Sequence, residues 1–286
     1  MKGGMYMTRF IRLILIISLL TLTACTSNSS SNAQTTSIES LNIGDRVIDL
    51  EWSWEYRQGW GYSKYSDTEV TEPVVWIVVA KNHDQANSVT LISEGLIGFF
   101  VFDASTLPSG LQAGQNHWGN SGLNATAGLR PWLNSTSPHA GEGFLSAFSS
   151  DFKSILLSST VENKEYDTGA IYTTNDYVYV PSHTEMGATD HSDTYSIGKP
   201  FEYFVGADYT KLRAKMPGTP WTYDYWTRSP YVTGYRVVGQ IIDSGYYVND
   251  FADDTSNGVR VVVNVKSDAK VAKEQNEDGI FVIKYK

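Results

Sequence analysis

The chain has 286 residues, a formal charge of −9 and one cysteine, at position 25. Such an acidic balance argues against non-specific binding to DNA, RNA or anionic lipid, so nucleic acid is not an expected partner. Beyond position 25 the chain has no disulfide, no thiolate metal site and no cysteine nucleophile, and at this length it buries a substantial core without them.

Lys2, Arg9 and Arg12 make a basic start, and the apolar run from Leu13 to Leu22 that follows is broken only by Ser18 and Thr21. A bilayer core needs about 20 apolar residues, so this run has the length of a secretory signal and not of a membrane span. It ends in Leu22-Thr23-Ala24-Cys25, which resembles the lipobox of bacterial lipoproteins. The resemblance implies cleavage before Cys25, a diacylglyceryl group on its sulfur, and a protein held on the extracellular face of the cell membrane. The alternative is an ordinary signal peptide that leaves a cysteine near its cleavage site. Removing residues 1–24 takes three cations away and moves the charge from −9 to −12. Residues 25–40 are then a lipidated tether, because Ser, Thr, Asn and Gln bury too little surface to offset ordering.

Residues 41–286 read as one globular domain. Ile43 to Leu50, Val74 to Ala80, Val89 to Ser93, Tyr177 to Val180, Arg236 to Ile242, Val259 to Val265 and Ile280 to Tyr285 have the β-branched and aromatic content of strands. The middle is helical. A short helix is expected over Ala125 to Leu133 despite Pro131, and Phe144, Phe148, Phe152 and Ile155 recur at helical spacing. Ser149-Ser150-Asp151 splits that run into two short helices, with Asp151 as the cap. Without strand–helix–strand alternation a parallel sheet is not expected, and the class is α+β with a mixed, mostly antiparallel sheet and a few short helices.

Between residues 74 and 266 the segments VVWIVVAKN, VTLISEGLI, LRPWLNS, FLSAFSSDFKSILLSSTVEN, TTNDYVYVPSHTEMG, YWTRSP and GVRVVVNV follow in order. Together they resemble a domain of unknown function common in surface lipoproteins of Bacillota. The chain departs from that pattern with Val261 where a proline is usual and with Tyr225-Trp226-Thr227 before Arg228. That family in turn is similar to the C-type-lectin-like fold in its formylglycine-generating-enzyme-like version, used by bacteria to display binding surfaces. The oxidases of that group hold copper through cysteines this chain lacks, so no cofactor is expected.

The motif residues read as structural. Trp132, Leu133 and Trp226 are bulky anchors for a core. Arg130, Arg228 and Arg260 sit among apolar neighbours, and their planar forks suit Glu94 or Glu185. Asn134 and Ser229 tie loops to the backbone. Catalytic constellations are weak. Glu51, Glu55, Glu69 and Glu72 cluster without identifying a carboxylate pair, and Ser182 and Ser229 lie in no nucleophile elbow. His183, Glu185, Asp190 and His191 lack zinc-protease spacing. Asp250, Asp253 and Asp254 lack EF-hand spacing and read as a solvated turn, so no metal is expected.

The aromatic residues carry more information. Half of the 18 tyrosines fall between Tyr195 and Tyr247, interleaved with small polar residues as in adaptable binding surfaces. Trp226 and Tyr225 are expected inside, whereas Tyr231, Tyr235 and one of Tyr246 and Tyr247 are expected outside. Trp221, Tyr223, Tyr231, Tyr235 and Tyr247 are the candidate ligand contacts, on one exposed face. Two functions remain: a non-enzymatic binding module for a glycan, peptide or protein, and a cell-envelope hydrolase with an unrecognised carboxylate site.

Overall fold

A computed structural model describes residues 34–56, 70–103, 118, 128–135, 143–188 and 193–285. Cys25, expected to be the lipidation site, lies outside them, as do Glu69, Asp190 and His191. In chain order the first strands are β1 (Thr35–Ser37), β2 (Arg46–Ile48), β3 (Trp54–Tyr56), β4 (Val70–Glu72), β5 (Val75–Lys81) and β6 (Ser88–Ser93). Three short helices follow, α1 (Leu129–Asn134), α2 (Phe144–Ala147) and α3 (Ser150–Ile155). Next come β7 (Leu156–Leu157), β8 (Ser159–Lys164), β9 (Ile171–Asp176), β10 (Val178–Tyr179), α4 (Tyr209–Leu212), β11 (Ala214–Lys215) and β12 (Thr222–Tyr223). The chain closes with β13 (Tyr225–Pro230), β14 (Val237–Ile241), β15 (Tyr247–Phe251), β16 (Val262–Lys266), β17 (Lys270–Ala272) and β18 (Phe281–Lys284).

A nine-stranded sheet runs β1-β17-β18-β2-β5-β6-β16-β10, with β7 also paired to β16. The sheet is mixed and mostly antiparallel; among the described strands β18 and β2 make the one parallel pair. The apolar runs expected as strands lie at its centre. All six residues of β6 are buried, and so are the middle five of β5. Unbroken apolar strands of this kind have both faces covered.

One cover is a cluster of rings. Phe152 stacks on Trp76 at 6.0 Å and on Trp52 at 6.2 Å, while Phe144, Phe148 and Phe152 meet edge to face at 4.9 Å each. The spacing of four residues survives the break between α2 and α3. The cap of α3 is Ser149 and not Asp151: the Ser149 hydroxyl accepts from the Phe152 amide at 3.0 Å. A side-chain oxygen at the cap reaches the third helical residue, and this phase turns Phe152 fully inward. In α1, Pro131 stands in the first turn, where its missing amide hydrogen has no helical acceptor to lose.

YWTRSP does not join the large sheet. It forms β13 of a separate three-stranded antiparallel sheet, β13-β14-β15. Its link to the GVRVVVNV segment is an isolated bridge between Tyr225 and Gly258, with the Trp226 amide donating to the Gly258 carbonyl at 3.0 Å. A local hairpin partner, β14, outcompetes the more distant one. Among the described residues no helix is long and apolar enough to cross a membrane.

Candidate functional site

The motif residues occupy the interior. Trp226 is fully buried and donates its indole N–H to the Phe100 carbonyl at 2.7 Å. Trp132 is only half-buried, stacked on Phe100 at 4.7 Å. Asn134 docks the chain beside it, accepting from the Tyr177 and Val178 amides at 2.8 and 3.1 Å and donating to the Val178 carbonyl at 2.8 Å. It thereby gives β10 a strand-like partner on a helix.

Each motif arginine solves its burial differently. Arg228 places both terminal nitrogens on the two carboxylate oxygens of Glu185 and donates to the Val180 carbonyl at 3.0 Å. Burial opposes its charge, but the Glu185 carboxylate outweighs that and raises its pKa. Arg130 pairs with the buried Asp176 at 2.8 Å. Arg260 is buried against the Ser93 carbonyl at 3.0 Å and the Leu212 carbonyl at 3.3 Å, with its guanidinium over the rings of Phe204 and Tyr225. Glu94 serves none of these three. It pairs at the surface with Arg46, at 2.7 Å.

His183 is buried beside Glu185 in the turn after β10, with Nδ1 3.1 Å from the Thr194 hydroxyl and Nε2 3.3 Å from the Gln240 carbonyl. In the acidic turn, Asp250 accepts from the Asn257 side chain at 2.8 Å, Asp253 pairs with Arg236 at 3.1 Å and Asp254 accepts from the Ser256 amide at 2.6 Å. These carboxylates are committed to the turn itself. Among the described residues no three His, Cys, Asp or Glu side chains are grouped to hold a metal ion.

The five candidate rings divide between the two ends of the three-stranded sheet. In the three-stranded sheet Tyr225, Ile241 and Tyr247 align at one end, and Pro230, Val238 and Asp250 at the other. Trp221 and Tyr223 precede β13 and Tyr247 opens β15, at the first end. Tyr231 and Tyr235 follow β13 at the second, about 17 Å away by strand rise. Tyr223 is half-buried, edge-on to Phe99 at 5.4 Å. Tyr247 is half-buried too, and its hydroxyl donates to the Met186 carbonyl at 2.8 Å. Tyr231 is half-buried, and Tyr235 is 41% exposed beside Tyr166. Trp221 is 68% exposed.

Next to Trp221 in the chain, Pro220 and Thr222 line a groove of about 750 Å³ that Trp221 itself does not line. Its floor holds the buried Tyr56 and Met216, and its walls carry Glu72 and Glu94 opposite Arg213, Lys215 and Thr222. Asp208 stands at the start of α4, whose Thr210 lines the groove. Its carboxylate caps α4 by accepting from the Thr210 and Lys211 amides at 3.0 and 3.3 Å, bonds that with the Thr210 hydroxyl lower its pKa. Arg213 is then fixed by donating to the Asp243 carbonyl at 2.9 Å and to the Thr222 hydroxyl at 3.3 Å. Gly95 lies so close to the β11 backbone that a Cβ there would sit 2.7 Å from the Lys215 carbonyl oxygen. Burial, with Glu72 and Glu94 nearby, raises the Tyr56 pKa far above the usual phenol value, so its hydroxyl stays protonated.

Beside this wall Tyr209 and Tyr246 form an exposed ring pair, 4.2 Å apart. Gly245 makes it possible. At φ +91° it turns the β14–β15 connection against α4, and a Cβ there would lie 2.1 Å from the Tyr209 carbonyl oxygen. The sequence reading left Tyr209 out and left Tyr246 unresolved against Tyr247; the signals for both were the Asp208 cap and the Asp243-Ser244-Gly245 turn.

No curated protein and no solved structure matches the chain. A family model described as a domain of unknown function, DUF6273, matches residues 87–267, from the start of β6 past the end of β16. The match takes in Glu94, Gly95, α4 and the 213–222 wall of the groove, while Tyr56 and Glu72 come from the segment before it. With more than half of its length matched, the chain belongs to the DUF6273 family of domains of unknown function.

Proposed function

We propose that this chain is a lipoprotein anchored through Cys25 on the extracellular face of the cell membrane, and that its folded domain is a non-enzymatic binding module. The presentation follows the C-type-lectin-like plan, with a small sheet and its connections carrying the ligand surface. The observations that carry the reading are the exposed Trp221 and the exposed Tyr209–Tyr246 ring pair, whose chain neighbours Pro220, Thr222 and Thr210 line an open polar groove. Large rings are driven inward in folding, so three that stay exposed favour a contact surface. Mixed Glu and Arg on the groove walls supply orienting polar contacts.

The test uses the full chain in detergent and isolated cell envelopes. Co-sedimentation should fall when Trp221 and Tyr209 are both replaced by alanine, with the melting temperature held. Labelled fatty acid should enter the parent and not Cys25→Ala. Equal sedimentation of the double variant, or equal labelling of Cys25→Ala, would overturn the corresponding half of the proposal.

A second reading has one specific support. Glu72 and Glu94 share the groove with a protonated Tyr56, and two carboxylates are the working parts of many glycan hydrolases. Glu94 is held by Arg46, which favours binding over chemistry. Release of reducing ends from an oligosaccharide, abolished in Glu72→Gln or Glu94→Gln, would establish the hydrolase instead.

A further inference from the structure

We infer that two copies of this chain pair edge to edge through β9, in an antiparallel ladder centred on Thr173. The inference is independent of the groove and of what it binds.

β8 and β9 form a two-stranded ribbon, from Ser159 opposite Asp176 to Lys164 opposite Ile171. At its closed end the Glu165 amide donates to the Ala170 carbonyl at 3.0 Å. Backbone groups in an antiparallel ladder alternate in direction. Tyr172, Thr174 and Asp176 therefore point theirs at β8, and Ile171, Thr173 and Asn175 point theirs away. β8 keeps the same phase: Glu162, opposite Thr173, turns its carbonyl outward and accepts from Arg228 at 3.3 Å. β9 has no second strand beside it, and among the described residues none bonds to the backbone of Ile171, Thr173 or Asn175. Just past the strand, Asn134 takes the Tyr177 and Val178 amides, so the open stretch is 171–175.

Folded proteins blunt such edges with a lysine, a proline, a bulge or an inward charge. The stretch from Ile171 to Asn175 has none of these. Its residues are Ile, Tyr, Thr, Thr and Asn, in unbroken register with β8. Ile171 is 63% exposed, and Thr173 and Asn175 are exposed with it.

The residues of the edge select a second copy as its partner. A two-fold axis at Thr173 sets that residue opposite its own counterpart, and Ile171 opposite Asn175 of the second copy. Each of the three then exchanges both backbone bonds with the residue it faces, and no outward group is left over. Threonine opposite threonine is a favourable cross-strand pair, and no like charges meet across the axis. A foreign peptide would need pockets for its alternate side chains. The exposed face of the ribbon instead bonds to itself, with the Thr160 hydroxyl donating to the Asn175 side chain at 3.2 Å. An edge this short buries less than the ~1,000 Å² of a stable interface, so the pairing is weak and a covalent trap reads it best.

The experiment places single cysteines in the full chain in detergent and follows disulfide formation, with the parent treated alike as the background from Cys25. In the inferred ladder, facing Cα atoms are about 5.5 Å apart, within disulfide reach. Thr173→Cys should form a covalent dimer roughly tenfold faster than Thr160→Cys, an exposed thiol one strand further in. Ile171→Cys and Asn175→Cys should each stay monomeric, because identical positions lie about 14 Å apart along the strands. Mixed together, the two should crosslink to each other. Thr173→Lys added to both sets two cations face to face, and should abolish that heterodimer with the melting temperature held. Crosslinking no faster at 173 than at 160, or as fast within Ile171→Cys as in the mixture, overturns the inference. Loss of envelope co-sedimentation in Thr173→Lys, without any crosslink, would give the edge to a different protein and overturn the second copy as its occupant.

Discussion

Glu185 receives both terminal nitrogens of Arg228, and the two side chains are 2% and 1% exposed. The pair ties the turn after β10 to the centre of β13, and the ring of Tyr179 lies 5.3 Å from the guanidinium. Neither charge has water to fall back on. Arg228→Ala should therefore cost about 3–5 kcal/mol, by leaving the Glu185 carboxylate buried and unpaired. Arg228→Lys should recover only part of that, since a point charge cannot make both bonds. Urea denaturation of the parent and both variants measures this. A loss below about 1 kcal/mol for Arg228→Ala would show that the pair does not hold the turn.

His83 gives the fold a pH dependence. Its Nδ1 faces an Asp84 carboxylate oxygen at 2.7 Å and its Nε2 the Lys199 carbonyl at 3.0 Å, so only the doubly protonated ring satisfies both. Burial opposes that charge, but the bond to Asp84 and the Asp84 and Glu185 charges outweigh it and raise the His83 pKa above 6.5. Burial likewise opposes the Asp84 charge, yet His83, Tyr179 and Asn264 together hold its pKa below 3.8. The His83 contribution is full below pH 6.5 and is lost as pH rises through its folded pKa. That of Asp84 is full above pH 3.8 and is lost as pH falls through its own. Melting temperature should peak between those limits, and the decline above pH 6.5 should flatten in His83→Gln. An unchanged alkaline decline in the variant would remove His83 as its source.

Gly245 should tolerate no side chain. A Cβ would meet the Tyr209 carbonyl at 2.1 Å, and the left-handed φ of +91° adds strain for any L-residue. Gly245→Ala should cost about 1–3 kcal/mol and, by parting Tyr246 from Tyr209, weaken ligand binding as well. Thermal melts and envelope co-sedimentation on one preparation test both effects. A variant with parent stability would mean the turn can move away from α4.

What could be read from the residues was what local pattern determines. The unbroken apolar runs of β5 and β6 and the four-residue spacing of Phe144, Phe148 and Phe152 needed no partner to be recognised. Ser149, Ser150 and Asp151 are all capping residue types, so the sequence pointed to Asp151, whereas the inward burial of Phe152 puts the cap at Ser149. YWTRSP stood out only as a motif segment, and its place as β13 follows from its pairing with the nearby β14. Arg228 sits 43 residues from Glu185 and Arg130 sits 46 from Asp176, distances at which a charged partner has no local signature. The groove was hidden for the same reason. Tyr56, Glu72, Glu94 and the 209–222 segment meet only through the topology, so a tyrosine-rich stretch was visible while its division between two ends of a sheet was not.

The most direct measurement sets the two ends of the three-stranded sheet against each other in one envelope co-sedimentation assay. The Trp221→Ala, Tyr209→Ala double variant removes two exposed rings at the first end, and the Tyr231→Ala, Tyr235→Ala double variant removes the rings at the far end. Binding lost in the first and kept at parent affinity in the second, with the first melting like the parent, is the result this account predicts. Binding kept in the first and lost in the second would place the ligand at the far end and contradict it.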